Sequence, residues 1–176
     1  MILTDILSSV GIFGPFILFI FSLYLLRKTP NALYYYLIGF LLNMILNIIL
    51  KLTFKQPRPK DNEDLFKLTL NYASKYNSVL PFDIYGMPSG HAESVMFSTI
   101  FIHLMFNNSK LTLLYLFISM ITIFQRVIEL YHTIFQVIVG FFVGLIFGYF
   151  IFFMYKQKMT GNLALKKDDY ALILFN

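Results

Sequence analysis

The chain contains no cysteine, which excludes disulfides, thiolate metal sites and cysteine nucleophiles and leaves the redox compartment open. Charge is scarce too. Asp, Glu, Lys and Arg make up 13% of the 176 residues, where a soluble domain carries roughly 25%. Residues 1–10 lack the basic n-region and small-residue cleavage site of a secretory signal, so the first apolar run reads as a retained span. There is no internal repeat and no low-complexity tract, and the length suits one domain.

Apolar surface, by contrast, is in excess: 58% of residues are hydrophobic and the mean hydropathy is +0.70. One small core cannot absorb that much, and lipid is the simplest second apolar solvent. The formal net charge of +5 and pI near 9.3 would suit nucleic acid only with a soluble basic face or arm. Here the cations sit at the ends of apolar runs, the placement expected of membrane-interface charge and of an anionic substrate. Nucleic acid is therefore set aside as a partner.

About 20 largely apolar residues span a bilayer as a helix. Five stretches qualify: residues 6–26, ending at Arg27-Lys28; 32–50, ending at Lys51; 89–106; 111–124, which is short; and 132–155, ending at Lys156. The predicted fold is an all-α integral membrane bundle of about five transmembrane helices with its active site at one membrane face. Residues 1–158 form the membrane domain. Its polar connection at 52–88 caps one end and carries a candidate interfacial helix at 64–76, and residues 159–176 read as a tail of no clear fold.

Counting crossings from the N-terminus puts Lys51, Arg58, His91, Arg126 and His132 at the same membrane boundary. Arg27, Lys28, Lys110, Lys156 and Lys158 fall at the other, with few acids beside them. The positive-inside tendency makes that second face cytoplasmic. The site then faces the extracytoplasmic or lumenal side, with the C-terminus in the cytoplasm.

The polar residues at the first boundary form three ordered clusters. These are Lys51-(six residues)-Arg58-Pro59, then Pro88-Ser89-Gly90-His91, then Arg126-(five residues)-His132-(three residues)-Gln136. Phosphate oxygens need charge-assisted donors, which arginine supplies as a planar fork and lysine as a point charge. Pro88-Ser89-Gly90-His91 opens a helix, where free backbone N–H groups favour an anion and Ser89 is a candidate N-cap. Two histidines then provide a nucleophile and an acid: a neutral imidazole attacks phosphorus and a protonated one gives its proton to the leaving oxygen. The scheme requires no metal and no cofactor.

This ordered set resembles the signature of the type 2 phosphatidic acid phosphatase superfamily: Lys-x6-Arg-Pro, Pro-Ser-Gly-His, and Ser-Arg-x5-His-x3-Asp. That superfamily includes lipid phosphatases, polyprenyl diphosphate phosphatases, glucose-6-phosphatase and vanadium haloperoxidases. The resemblance covers roughly residues 40–150 and implies a catalytic set of His132, His91 and Gln136. His132 would be the nucleophile that forms a phosphohistidine and His91 the acid for the leaving group. It further implies that Lys51, Arg58, Ser89, the Gly90 backbone and Arg126 hold the phosphate oxygens.

The third cluster departs from the pattern at two positions: Gln125 stands for the family's serine and Gln136 for its aspartate. A glutamine carbonyl accepts the same imidazole N–H bond but brings no charge. In serine proteases an amide in place of the analogous aspartate costs about 10⁴-fold in rate. Glu129 is a candidate substitute carboxylate. The implied function is hydrolysis of a lipid phosphate or polyprenyl diphosphate, with membrane lipid as the other partner. The alternative is a weakened member that binds lipid phosphate without efficient turnover.

The remaining polar positions have plainer readings. Gly140, Gly144 and Gly148 continue the stripe of His132 and Gln136 and are expected to pack inward against a neighbouring helix. Asn43 and Asn47 read as interhelical glue, His103 as packing, Glu93 as a charge suited to a helix N-terminus, and Tyr34-Tyr35-Tyr36 as an interfacial belt.

Overall fold

Most breaks in the apolar pattern become helix boundaries. A computed structural model describes residues 2–59 and 85–174, which form five helices and no strand. They are α1 (Ile2–Leu26), α2 (Pro30–Phe54), α3 (Gly90–Phe106), α4 (Ser109–Ile128) and α5 (Ile134–Leu174). Pro30 takes the first position of α2, where its missing N–H has no intrahelical partner to lose. Asn107 closes α3 in the left-handed region at φ 46°, and Asn108 caps α4 by accepting from the Leu111 N–H at 3.1 Å. The candidate helix at 64–76 lies outside the described residues.

Two predicted boundaries move. The fourth span is not short: α4 runs over 20 residues, because polar Ser109 and Gln125-Arg126 are taken into its ends. Residues 159–174, read as a tail without clear fold, continue α5 as helix.

Four of the helices, α1, α2, α4 and α5, are long and apolar enough to cross a membrane. The chain is an integral membrane helical bundle. The fifth helix, α3, has 17 residues and is about 25 Å long at 1.5 Å per residue. It touches all four others. Ala92, Val95, Phe97, Ser98, Phe101 and Ile102, spread around its circumference, are all fully buried, as expected of a helix enclosed by protein. The outer helices follow one another around it as α1, α4, α5, α2, with only sparse contact between α4 and α5 and between α1 and α2.

Lipid gives no hydrophobic drive for helices to meet, so close backbone approach and shared hydrogen bonds do that work. The glycine stripe of α5 lies on the backbone of α3. A side chain at Gly140 would meet the Ser89 main chain, one at Gly144 the Glu93 main chain, and one at Gly148 Phe97. The inward packing expected of the stripe is what is found. Hydroxyl pairs tie the other helices: Tyr36 to Ser98 at 2.8 Å, Thr99 to Ser119 at 2.9 Å and Ser22 to Tyr115 at 3.0 Å. His103 packs on Thr112 at 2.9 Å, away from the motif residues.

Tyr36 corrects the expectation of an interfacial belt. It is fully buried, whereas Tyr34 is exposed, because consecutive helical residues point about 100° apart and only one of the three faces α3.

Candidate active site

Four helix ends meet at the end of the bundle opposite Lys28, Lys110 and Lys156: the C-termini of α2 and α4 and the N-termini of α3 and α5. Lys51, in the last turn of α2, is buried and donates to the Tyr85 carbonyl just upstream of α3. Lys55, left-handed at φ 47°, ends α2 and turns the chain into the irregular segment that carries Gln56, Pro57 and Arg58. Ser89 is the N-cap of α3 in extended geometry. Its buried hydroxyl makes no cap bond and has no partner among the described residues, so it remains available to a ligand beside the free first-turn N–H groups of Gly90 and His91.

On α4, Arg126 is buried and its Nε donates to Gln125 Oε1 at 2.7 Å, while its guanidinium lies 4.5 Å from the centre of the Tyr131 ring. Gln125 thus orients the arginine. The chain leaves α4 through Leu130, left-handed at φ 55°, and folds back so that the His132 N–H meets the Arg126 carbonyl at 3.0 Å. The charges of Arg126, Arg58 and Lys51 all act on His91, and those of Lys51 and Arg58 act on His132. The three sequence clusters therefore converge in space, as their topology predicted.

His132 Nδ1 donates to the Gly86 carbonyl at 2.8 Å and approaches Gln136 Oε1 at 3.4 Å. With the proton held on Nδ1, the Nε2 lone pair is left unprotonated. Burial, with Lys51 and Arg58 nearby, pushes the imidazole down to about 3 from its ordinary 6.5. His132 is therefore neutral, in one tautomer, amid cations that suit an anion.

Gln136 does more than approach His132. Its Oε1 accepts from the Thr133 N–H and its own N–H donates to Thr133 Oγ1, both at 3.2 Å, which is a reciprocal capping box over the first turn of α5. Its Nε2 donates to the Pro57 carbonyl at 2.7 Å and to Gln56 Oε1 at 3.2 Å. Neither Gln56 nor Gly86 is singled out by sequence reasoning. The Thr133-x-x-Gln136 spacing is the one signal that foretells part of this arrangement.

Glu129 is not the substitute carboxylate. It caps the C-terminus of α4, is exposed, and accepts from Ser8 on α1 at 2.9 Å, and its charge acts on Arg126 rather than on His132. Glu93 differs from a solvated first-turn acid: it is fully buried and its Oε2 accepts from Asn47 at 2.6 Å, so that Asn47 joins α2 to α3 as interhelical glue.

His91 occupies the other flank of the site. Its Nε2 lies 3.2 Å from the Ile12 carbonyl of α1. It lines a cavity of about 560 Å³ between α1, α2 and α3, together with Gly90 and Ser94. Most of the rest of that wall is apolar: Ile12, Phe16, Phe19, Phe40, Leu41, Met44 and Ile48.

The sequence model of the PAP2 superfamily matches residues 32–160, from the start of α2 into α5 and through all three clusters. The chain belongs to the PAP2 superfamily. These are the type 2 phosphatidic acid phosphatases, so the family places the chain among phosphatase-type hydrolases, many of them membrane lipid phosphatases. No curated protein and no solved structure matches the chain significantly.

Proposed function

We propose that this PAP2 protein hydrolyses a lipid phosphate or polyprenyl diphosphate in two steps through a phosphohistidine on His132, without a metal. The observation that carries the reading is the Nδ1–H bond from His132 to the Gly86 carbonyl. It presents an unprotonated Nε2 within reach of the charges of Lys51 and Arg58.

In the first step the bound phosphate's charge offsets the cations beside His91, so that its imidazole takes up a proton. It gives that proton to the departing oxygen as Nε2 of His132 attacks phosphorus, the P–N bond forms and the P–O bond to the leaving group breaks. In the second step water attacks the phosphohistidine, neutral His91 takes the water's proton, and the P–N bond breaks to return His132 and release phosphate. Lys51, Arg58, Arg126, the Ser89 hydroxyl and the Gly90 N–H hold the phosphoryl oxygens as charge develops.

The position of His91 supports a lipid. The leaving oxygen of a lipid phosphate carries the tail, so its acid belongs where the tail is. His91 borders the apolar cavity while His132 is bound by the loops on the polar side. The cation-rich far end of the bundle supports an extracytoplasmic or lumenal site. The weakened-member reading rests on the missing aspartate, and the Gly86 carbonyl removes much of its motive by supplying the tautomer-fixing acceptor that aspartate would provide.

The test is phosphate release by the purified chain in detergent with EDTA, from a polyprenyl diphosphate and from phosphatidate. Wild type is expected to turn over at least one, and His132→Ala to lose about 10³-fold or more. Abolition by EDTA, or activity surviving in His132→Ala, would sink the mechanism.

A further inference from the structure

Gln136 sits where all three motif clusters are joined. Its main-chain carbonyl accepts from the Ser89 N–H at 3.0 Å. Its amide oxygen faces Thr133 N and His132 Nδ1, and its amide nitrogen faces the Pro57 carbonyl and Gln56 Oε1. The direction of the amide is fixed by chemistry: the Thr133 N–H can only donate and the Pro57 carbonyl can only accept. Gly86 closes the same network, its N–H donating to the Gln56 carbonyl at 2.8 Å and its carbonyl accepting from His132. A side chain on Gly86 would press into the Gln136 amide, its Cβ 2.6 Å from Oε1 and 2.7 Å from Nε2.

We propose that Gln136 is a positioning residue whose amide ties the Arg58-bearing segment to the nucleophile loop. Orientation of His132 then falls to the Gly86 carbonyl, and a carboxylate at position 136 is a defect rather than a repair. The inference rests on the phosphatase reading above and concerns the same site.

The chemistry is asymmetric. Aspartate is one methylene shorter and cannot span from Thr133 to Pro57. Glutamate has the reach but only accepts, so it turns a carboxylate oxygen toward the Pro57 carbonyl and loses the bond that holds the segment. Arg58 immediately follows Pro57, so release of that carbonyl moves a phosphate ligand as well as a support for the histidine. A simple stand-in for the missing aspartate would behave in the opposite way, with a carboxylate at 136 stabilising the imidazolium and raising turnover.

The test uses the full chain in detergent with the lipid phosphate that wild type turns over. Gln136→Asp, Gln136→Glu and Gln136→Met are compared, and Gln136→Met is combined with Arg58→Lys. Each variant is read for kcat, KM and orthovanadate affinity by thermal shift. All three single variants are expected to lose about 10- to 100-fold in kcat/KM, the scale seen when the supports of metal-ligating side chains are removed, with most of the loss in KM. In the Arg58→Lys background, Gln136→Met should cost much less than in wild type, because the guanidinium fork that Gln136 positions is already gone.

A kcat/KM for Gln136→Asp or Gln136→Glu at or above wild type overturns the proposal. So does full additivity of Gln136→Met with Arg58→Lys. If wild type releases no phosphate yet binds orthovanadate, the hydrolytic reading fails alone. The same cycle is then read on vanadate affinity, where non-additivity supports the tie and additivity rejects it. If wild type neither turns over nor binds, both readings fall.

Discussion

Burial, opposed only weakly by the bonds to the neutral Gly86 carbonyl and Gln136 amide, sets how His132 behaves with pH. Burial holds the folded imidazole near 3 while an unfolded one titrates at 6.5. Between those values the unfolded chain binds the extra proton, so stability falls as pH falls through that window, and above 6.5 the contribution is complete. From pH 7 to pH 5 the loss from this one residue is roughly 2 kcal/mol. Thermal melts of detergent-solubilised wild type and His132→Asn are expected to diverge accordingly. Wild type should lose markedly more stability than the variant over that interval, and parallel losses would show that His132 is not held neutral. The side chains of this site were legible in the sequence because lysine, arginine and histidine at fixed spacings carry the chemistry themselves. The atom that orients His132 was not, because a backbone carbonyl leaves no signature in residue type and Gly86 lies outside the motifs. Gln136 was visible as a departure from the motif pattern that the three clusters resemble. Its partners, Pro57 and Gln56, lie about 80 positions away in the chain and could be paired with it only by the fold.

At the scale of helices, α5 aims the nucleophile, because Gln136 lies in its first turn and His132 just ahead of it, while the glycine stripe sets how deeply the helix sits on α3. The central member of that stripe, Gly144, faces the Glu93 backbone, which cannot swing aside as a side chain can. Gly144→Leu is therefore expected to force α3 and α5 apart, at a cost at or above the roughly 1–3 kcal/mol typical of overpacking, with loss of activity. Phe142→Leu, two residues away on the exposed opposite face of α5, should change stability by less than about 0.5 kcal/mol. Equal melting temperatures for the two variants would refute this account of the α3–α5 contact. The stripe could be read from spacing alone, since glycine every four residues has few other uses in an apolar helix. The length of α5 could not. Lys166, Lys167, Asp168 and Asp169 break the apolar pattern that marks a span, yet Leu, Ala and Lys in that stretch favour helix whatever surrounds it. A helix that outruns its apolar run looks like a tail to any reading based on hydrophobicity.

For the whole molecule, the consequence of placing α3 at the centre is that the outer helices need not seal against one another. Where α1 and α2 diverge, the cavity that reaches His91 and Gly90 opens between them. Phe16, Leu41 and Met44 on its edge are at least half exposed on surfaces that face lipid in a membrane. A substrate whose phosphate lies among Arg58, Arg126 and Lys51 while its tail stays in the bilayer would pass through this opening and bring its leaving oxygen to His91. Bulk placed at the opening should then discriminate by tail. Met44→Trp is expected to lower the ratio of kcat/KM for a long-chain lipid phosphate over that for a short, water-soluble analogue by about tenfold or more, since each apolar methylene excluded from a pocket is worth about 1–3 kcal/mol. The comparison is made on one purified preparation in the same detergent, so that a general loss of folded protein cancels from the ratio. An unchanged ratio would mean that the tail enters elsewhere, and the sparse α4–α5 seam on the opposite side of α3 would become the route to test.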